Sequence, residues 1–197
     1  MQRRCLSILA LCLAAPSAQA VDFRVLHVHY GNGLHVELRA LVKAPMQRID
    51  RLLNDYDALA RLVPIVTESQ RIVGAAPGAQ RVRTQVRGCV WFMCTSLTNV
   101  IDITRTGPGA YRAVTVPAQS DFSAGDMEWS YKADGRYTLV SFDARLKPVL
   151  WLPPLLGPYL VERKVRSQLI QGVRHLEAQA RSRKPVLFNR PSTQGAR

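Results

Sequence analysis

"VLWLPPLLGPYLVERKVRSQLIQGVRHLEAQAR", residues 149–181, is the stretch on which the fold turns. From 158 onward, Val161, Val165, Leu169, Val173 and Leu176 recur every three or four residues, with basic residues elsewhere. That spacing predicts one long amphipathic helix over 158–181. A single apolar stripe of this length needs an apolar surface opposite it. The segment before the helix, 149–161, is the greasiest of the chain, but Pro153, Pro154 and Pro158 interrupt it. It reads as a Pro-rich turn rather than a membrane span.

The surface comes from the chain upstream. Residues 67–147 alternate, and predict strands at 67–73, 81–89, 94–104, 111–117, 126–132 and 137–147. "GAAPGA", "TGPG" and "ADGR" mark turns between them, and 118–125 forms a longer link. Met127, Trp129 and Tyr131 share one face, with Glu128, Ser130 and Lys132 on the other. Val140, Phe142, Ala144 and Leu146 repeat the pattern. Further upstream, residues 23–42 alternate about "GNG". A three-residue loop at Gly31–Gly33 pairs Tyr30 with Leu34, His29 with His35 and His27 with Glu37. It puts Leu26, Val28, Tyr30, Leu34, Val36 and Leu38 on one face, whereas a two-residue turn would mix the faces. Pro45 then opens a helix carrying Met46, Ile49, Leu52, Leu53 and Tyr56. Asp57 is placed to cap a second short helix, 58–63, which Pro64 ends. The result is an α+β design: a run of antiparallel strands curls around the last helix.

The N-terminus speaks to compartment. Met1–Arg4 is basic, residues 5–15 are almost wholly apolar, and Ala18-Gln19-Ala20 fits small-x-small cleavage. This is the pattern of a secretory signal peptide over 1–20. An exported product, periplasmic if the source is a Gram-negative bacterium, then begins at Val21. Removing 1–20 also removes Cys5 and Cys12 and leaves Cys89 and Cys94, in "CVWFMC", as the two remaining cysteines. In a straight strand they would stand roughly 16 Å apart on opposite faces, too far to bridge. In an oxidising compartment a disulfide is the favoured reading, with the chain turning back and lifting Val90, Trp91, Phe92 and Met93 to a hairpin tip. The 177 residues left suit one domain, 21–181, followed by an acid-free basic tail, 182–197, that reads as disordered. With Arg3 and Arg4 gone, 25 basic residues face 14 acidic ones, a net charge of +11. That predicts attraction to anionic surfaces, whether nucleic acid, phospholipid headgroups or acidic polymers; export argues against nucleic acid.

The order of elements, with "APMQRI", "DYDALARLVP", "SDFSAGDMEWSY" and "LWLPPLLGPYLVERKVRSQL", resembles the START-like (SRPBCC) superfamily over residues 34–180. The nearest groups are the polyketide cyclase/lipid-transport and coenzyme Q-binding START domains. The resemblance implies a helix-grip fold: a curved antiparallel sheet wrapped around a long C-terminal helix, with two short helices after the first strand. It also implies a deep apolar cavity between sheet and helix, used for lipids, quinones or polyketides. Phe122, Met127, Trp129, Tyr131 and Phe142 are the candidate cavity residues. Trp91, Phe92, Trp151, Leu155, Leu156 and Tyr159 are candidates for its mouth. There, aromatics beside Arg163, Lys164 and Arg166 suit a membrane interface.

Catalytic signals are sparse. No Gly-x-Ser-x-Gly, phosphate-cradling glycine loop, cofactor motif or zinc-spaced cysteine set occurs. His175 falls beside Lys164, Gln168 and Gln171 on the polar face of the last helix. Asp55 and Asp57 form an apparent carboxylate pair that a cap and a helix-end charge explain. His27, His29, His35 and Glu37, four possible ligands on one hairpin face, are weak metal candidates. The expectation is therefore non-catalytic binding or transport of a hydrophobic ligand, a lipid or isoprenoid quinone, with no cofactor. An aromatase/cyclase acting on a polyketide is the second class. A structural protein whose cavity is filled by its own side chains is the third. Oligomeric state is not legible in the sequence.

Overall fold

The computed structural model describes residues 21–90, 93–153 and 156–182. Two strands, β1 (Asp22–Tyr30) and β2 (Leu34–Val42), precede the helices. Their register pairs Tyr30 with Leu34, His29 with His35 and His27 with Glu37, as the three-residue loop requires. Gly33 makes that loop possible with φ 137°, a value that side-chain-bearing residues avoid. Helix α1 (Met46–Leu53) stops one turn earlier than the apolar spacing implies. Tyr56 falls instead in a 3₁₀ turn, Tyr56–Ala58, that leads into α2 (Leu59–Leu62). Asp57 caps nothing. Its Oδ1 accepts the Arg71 backbone N–H at 2.8 Å, and its Oδ2 lies 3.6 Å from Arg71 Nε, so it ties the turn to the next strand.

Six strands follow: β3 (Val66–Ile72), β4 (Ala79–Val90), β5 (Met93–Gly107), β6 (Ala110–Thr115), β7 (Phe122–Asp134) and β8 (Tyr137–Pro148). Half of the expected 118–125 link is strand, because β7 starts at the buried Phe122. All eight strands form one antiparallel sheet in the order β1-β2-β8-β7-β6-β5-β4-β3. Across it, inward-facing residues line up in rows. One row runs Leu38, Phe142, Trp129, Tyr111, and the next Val36, Ala144, Met127, Ala113. The period-2 alternation of each strand makes these rows continuous, and they form the concave face.

Helix α3 (Gly157–Arg181) lies across that face. Glu162 Oε1 accepts the Tyr30 N–H at 2.7 Å, Arg166 Nη1 donates to the Leu26 carbonyl at 3.0 Å, and Glu177 Oε2 accepts the Lys43 N–H at 3.0 Å. These bonds satisfy backbone groups along the β1–β2 hairpin. At the far end Arg48 donates to the Ala180 carbonyl at 2.9 Å, covering an acceptor that the helix terminus leaves open. The main core gathers Ile49 of α1, Leu62 of α2, and Val173, Leu176 and Ala180 of α3 against the sheet. A second cluster, Val28, Val36 and Ala144, sits under Val165 and Leu169.

Candidate ligand-binding site

The two ends of the space between sheet and helix differ. At the end covered by α1, five polar side chains converge. Asp50 and Asn54, one turn apart on and just after α1, face Tyr111 of β6 and Tyr131 of β7. Asn54 Nδ2 lies 2.7 Å from Asp50 Oδ1, 2.8 Å from Tyr111 Oη and 3.1 Å from Tyr131 Oη. The Tyr131 hydroxyl donates to Asp50 Oδ1, and the Tyr56 hydroxyl donates to Asn54 Oδ1 at 3.0 Å. Gly109 fixes Tyr131 through a 2.9 Å bond from the Tyr131 N–H to its carbonyl. A Cβ at this glycine would sit 2.8 Å from the Tyr131 carbonyl oxygen. Burial pushes the Tyr56 phenol up to about 12, with Tyr111 adding to the shift. Burial, and then its bond to Asp50, hold the Tyr131 phenol well above the usual phenol range. Both phenols stay protonated at neutral pH and act as donors, not bases. Tyr56, Asn54 and Tyr111 also line a cavity of about 280 Å³ with Arg71, Gly78, Gln80, Ile103 and Arg105.

At the other end, under residues 160–170 of α3, the walls are apolar. Leu26, Leu34, Met127, Phe142 and Leu146 on the sheet, and Val165 and Leu169 on the helix, pack around Val28, Val36 and Ala144 and are all only partly buried. Met127, Trp129 and Phe142 thus face inward as their spacing implies. Tyr131 belongs to the polar cluster, and the Trp129 ring stacks on Tyr111 with centroids 5.5 Å apart. Phe122 is buried at the start of β7. Gln168 departs from the expected polar face: its Oε1 is buried without a hydrogen-bond partner among the described residues.

Of the residues expected at the mouth, Trp151 is 75% exposed, and Leu156 and Tyr159 are also exposed, as is neighbouring Val149. Trp91, Phe92 and Leu155 lie outside the described residues. Cys89 and Cys94 are joined by a disulfide and sit opposite each other at the end of the β4–β5 hairpin. The histidines do not converge. The His27 ring centroid stands 6.4 Å from that of His29 and 6.1 Å from that of His35. His29 Nδ1 lies 3.2 Å from Glu162, His35 Nε2 lies 3.3 Å from Asp143, and Glu37 pairs with Arg39. Among the described residues no group of three or more His, Cys, Asp or Glu is arranged to hold a metal ion.

Comparison with known proteins rests on shape. No family model and no curated protein sequence matches the chain. Solved structures do. A STAR-related lipid transfer protein from Xanthomonas axonopodis aligns with a TM-score of 0.60 at 15% identity, over 83% of this chain and 100% of that one. The Zhui aromatase/cyclase from Streptomyces sp. R1128 gives 0.57 at 18% identity, over 74% and 92%. A START superfamily protein from Mycobacterium smegmatis gives 0.57 at 16%, over 74% and 96%. The chain has the START-like helix-grip fold. Identities this low speak to the fold alone, so the chemistry must come from the residues. Sequence reasoning missed Asp50 and Asn54, whose i, i+4 spacing across the end of α1 was the available signal. It also missed Arg71 and Arg105, which stand at inward positions of β3 and β5.

Proposed function

We propose that this START-like domain, residues 21–181, binds and carries a hydrophobic ligand, a lipid or isoprenoid quinone, without catalysing a reaction. The observation that carries the reading is the partly buried apolar lining between the sheet and residues 160–170 of α3. Apolar side chains that stay partly exposed keep surface that an apolar ligand would cover. One structural neighbour is a STAR-related lipid transfer protein. The signal-peptide pattern of residues 1–20 and the Cys89–Cys94 bridge support export to the periplasm. The exposed Trp151, Leu156 and Tyr159, beside Arg163 and Lys164, support delivery at an anionic membrane surface. No helix among the described residues is long and apolar enough to cross one.

The test is native mass spectrometry of the exported protein followed by lipid extraction. A stoichiometric apolar adduct is expected. An adduct-free protein that takes up no lipid, quinone or fatty alcohol would overturn the reading. A second reading, an aromatase/cyclase, is favoured by the converging Asp50, Asn54, Tyr56, Tyr111 and Tyr131. The mutual hydrogen bonds of this set favour carriage, because each donor is already committed. Turnover of a polyketide-type substrate that Tyr111→Phe abolishes would reverse that ranking.

A further inference from the structure

Followed toward β4 and β3, the inward rows change character. The row Leu38, Phe142, Trp129, Tyr111 continues to Arg105 of β5, and the row through Met127 and Ala113 continues through Ile103 to Gln80 of β4. Arg71 of β3 stands opposite Val82, an inward position. Strand alternation thus points two guanidinium groups and an amide into the concave side, where apolar residues would be expected. All three line the 280 Å³ cavity, over a floor of Ile103, Tyr111, Tyr56 and Asn54. At roughly 30 Å³ per water, that space holds several waters or one small oxyanion.

The cations are not fully spent. Arg105 donates from Nε to the Gly107 carbonyl at 3.1 Å, and among the described residues it has no carboxylate within ion-pair distance. Arg71 packs 5.8 Å from the Tyr56 ring centroid, reaches the Asn54 carbonyl at 3.4 Å, and meets Asp57 at 3.6 Å. Asp57 is not among the residues lining the cavity. Asp50, bonded to Asn54 and Tyr111 of the floor, has its Oδ1 occupied by these two and by Tyr131. A guanidinium with free N–H groups, a second one lining the same cavity from β3 and an amide make a donor set suited to carboxylate or phosphate.

We infer that the α1-covered end of the sheet is an oxyanion subsite in which Arg105 and Arg71 grip a carboxylate or phosphate. That oxyanion is either a free anion or the acidic head of the carried amphiphile. Only the second source rests on the proposed carrier function.

Calorimetry with inorganic phosphate, dodecanoate and dodecanol, on the wild type and on an Arg71→Gln/Arg105→Gln variant, tests this. Thermal melting confirms that the variant is folded. Dodecanoate binding at least tenfold tighter than dodecanol, with the preference lost in the variant and dodecanol unaffected, identifies the head of an amphiphile. Phosphate binding lost in the variant, with dodecanoate and dodecanol equal or both silent, identifies a free-anion site. Asp57→Asn, which removes the competing carboxylate, should tighten the anion severalfold in either case. Two results overturn the inference: no phosphate binding together with equal or absent dodecanoate and dodecanol binding, or an anion preference that survives the double substitution. Dodecanol binding alone leaves the carrier function standing while the subsite falls. Phosphate binding without either amphiphile does the reverse.

Discussion

The two halves of α3 carry the same kind of stripe but meet different partners. Val161, Val165 and Leu169 recur every four residues and Val173, Leu176 and Ala180 every three or four, yet only the second set is buried. The helix sequence alone does not make that difference. Opposite the second set lies α1, whose Ile49 is completely buried, and α2, whose Leu62 carbonyl lies close to Gly172. Arg48 closes the terminus. Among the described residues, Val165 and Leu169 of the first set pack on the sheet, and the ties from Glu162 and Arg166 run to the β1 strand. An amphipathic helix that outruns its second layer of helices leaves apolar surface part-covered. In this fold that remainder is the candidate ligand space.

Truncation should separate the halves most strongly. Leu176→Ala removes a buried side chain of the main core and should cost about 2–4 kcal/mol, lowering the melting temperature by several degrees. Leu169→Ala, in the open half, should cost only about 1 kcal/mol, since less area returns to water. Equal losses in denaturant titrations would erase the distinction.

The polar cluster sharpens the contrast at the α1-covered end. Tyr131→Phe removes a buried hydroxyl that serves Asp50 and should destabilise by about 1–3 kcal/mol, measured by chemical denaturation. Its pH signature has a definite sign. The phenol of Tyr56 is raised from 10.0 to about 12, so its neutral form is favoured in the fold and the resulting stability is fully present below pH 10. That stability falls as pH rises from 10 through 12. Absorbance titration should therefore show some tyrosines, Tyr56 and Tyr131 among them, ionising only above pH 11. A complete titration near pH 10 in the folded protein would contradict the buried network.

Much of the architecture was legible because alternation and helical spacing are local signals. The "GNG" loop set the β1–β2 register, and the two cysteines set that of the β4–β5 tip. The polar cluster was not legible, since Asp50, Tyr111 and Tyr131 are brought together only by strand order and by where α1 lands. Asp57 misled for a related reason: a carboxylate beside a helix start resembles a cap until a neighbouring strand takes it. Gln168 sat on the polar side of the wheel, yet its Oε1 is buried, so the covered part of the helix is wider than the apolar stripe alone indicates.

The smallest effect on stability belongs to the rim. Trp151→Ser should change stability by less than about 0.5 kcal/mol, because this side chain is largely exposed. It should nonetheless weaken co-sedimentation with vesicles rich in anionic lipid, and that binding should fall as salt screens the basic residues. Unchanged vesicle binding with an earlier melt would make Trp151 a packing residue.

Hydrogen exchange along α3, without ligand and with saturating dodecanol, tests the central claim most directly. The account predicts that backbone amides of 160–170 exchange faster than those of 173–180 in the free protein. It also predicts that dodecanol slows the first group while leaving the second unchanged. Uniform protection along the helix, or protection by dodecanol confined to 173–180, would contradict an apolar ligand space under the N-terminal half of the helix.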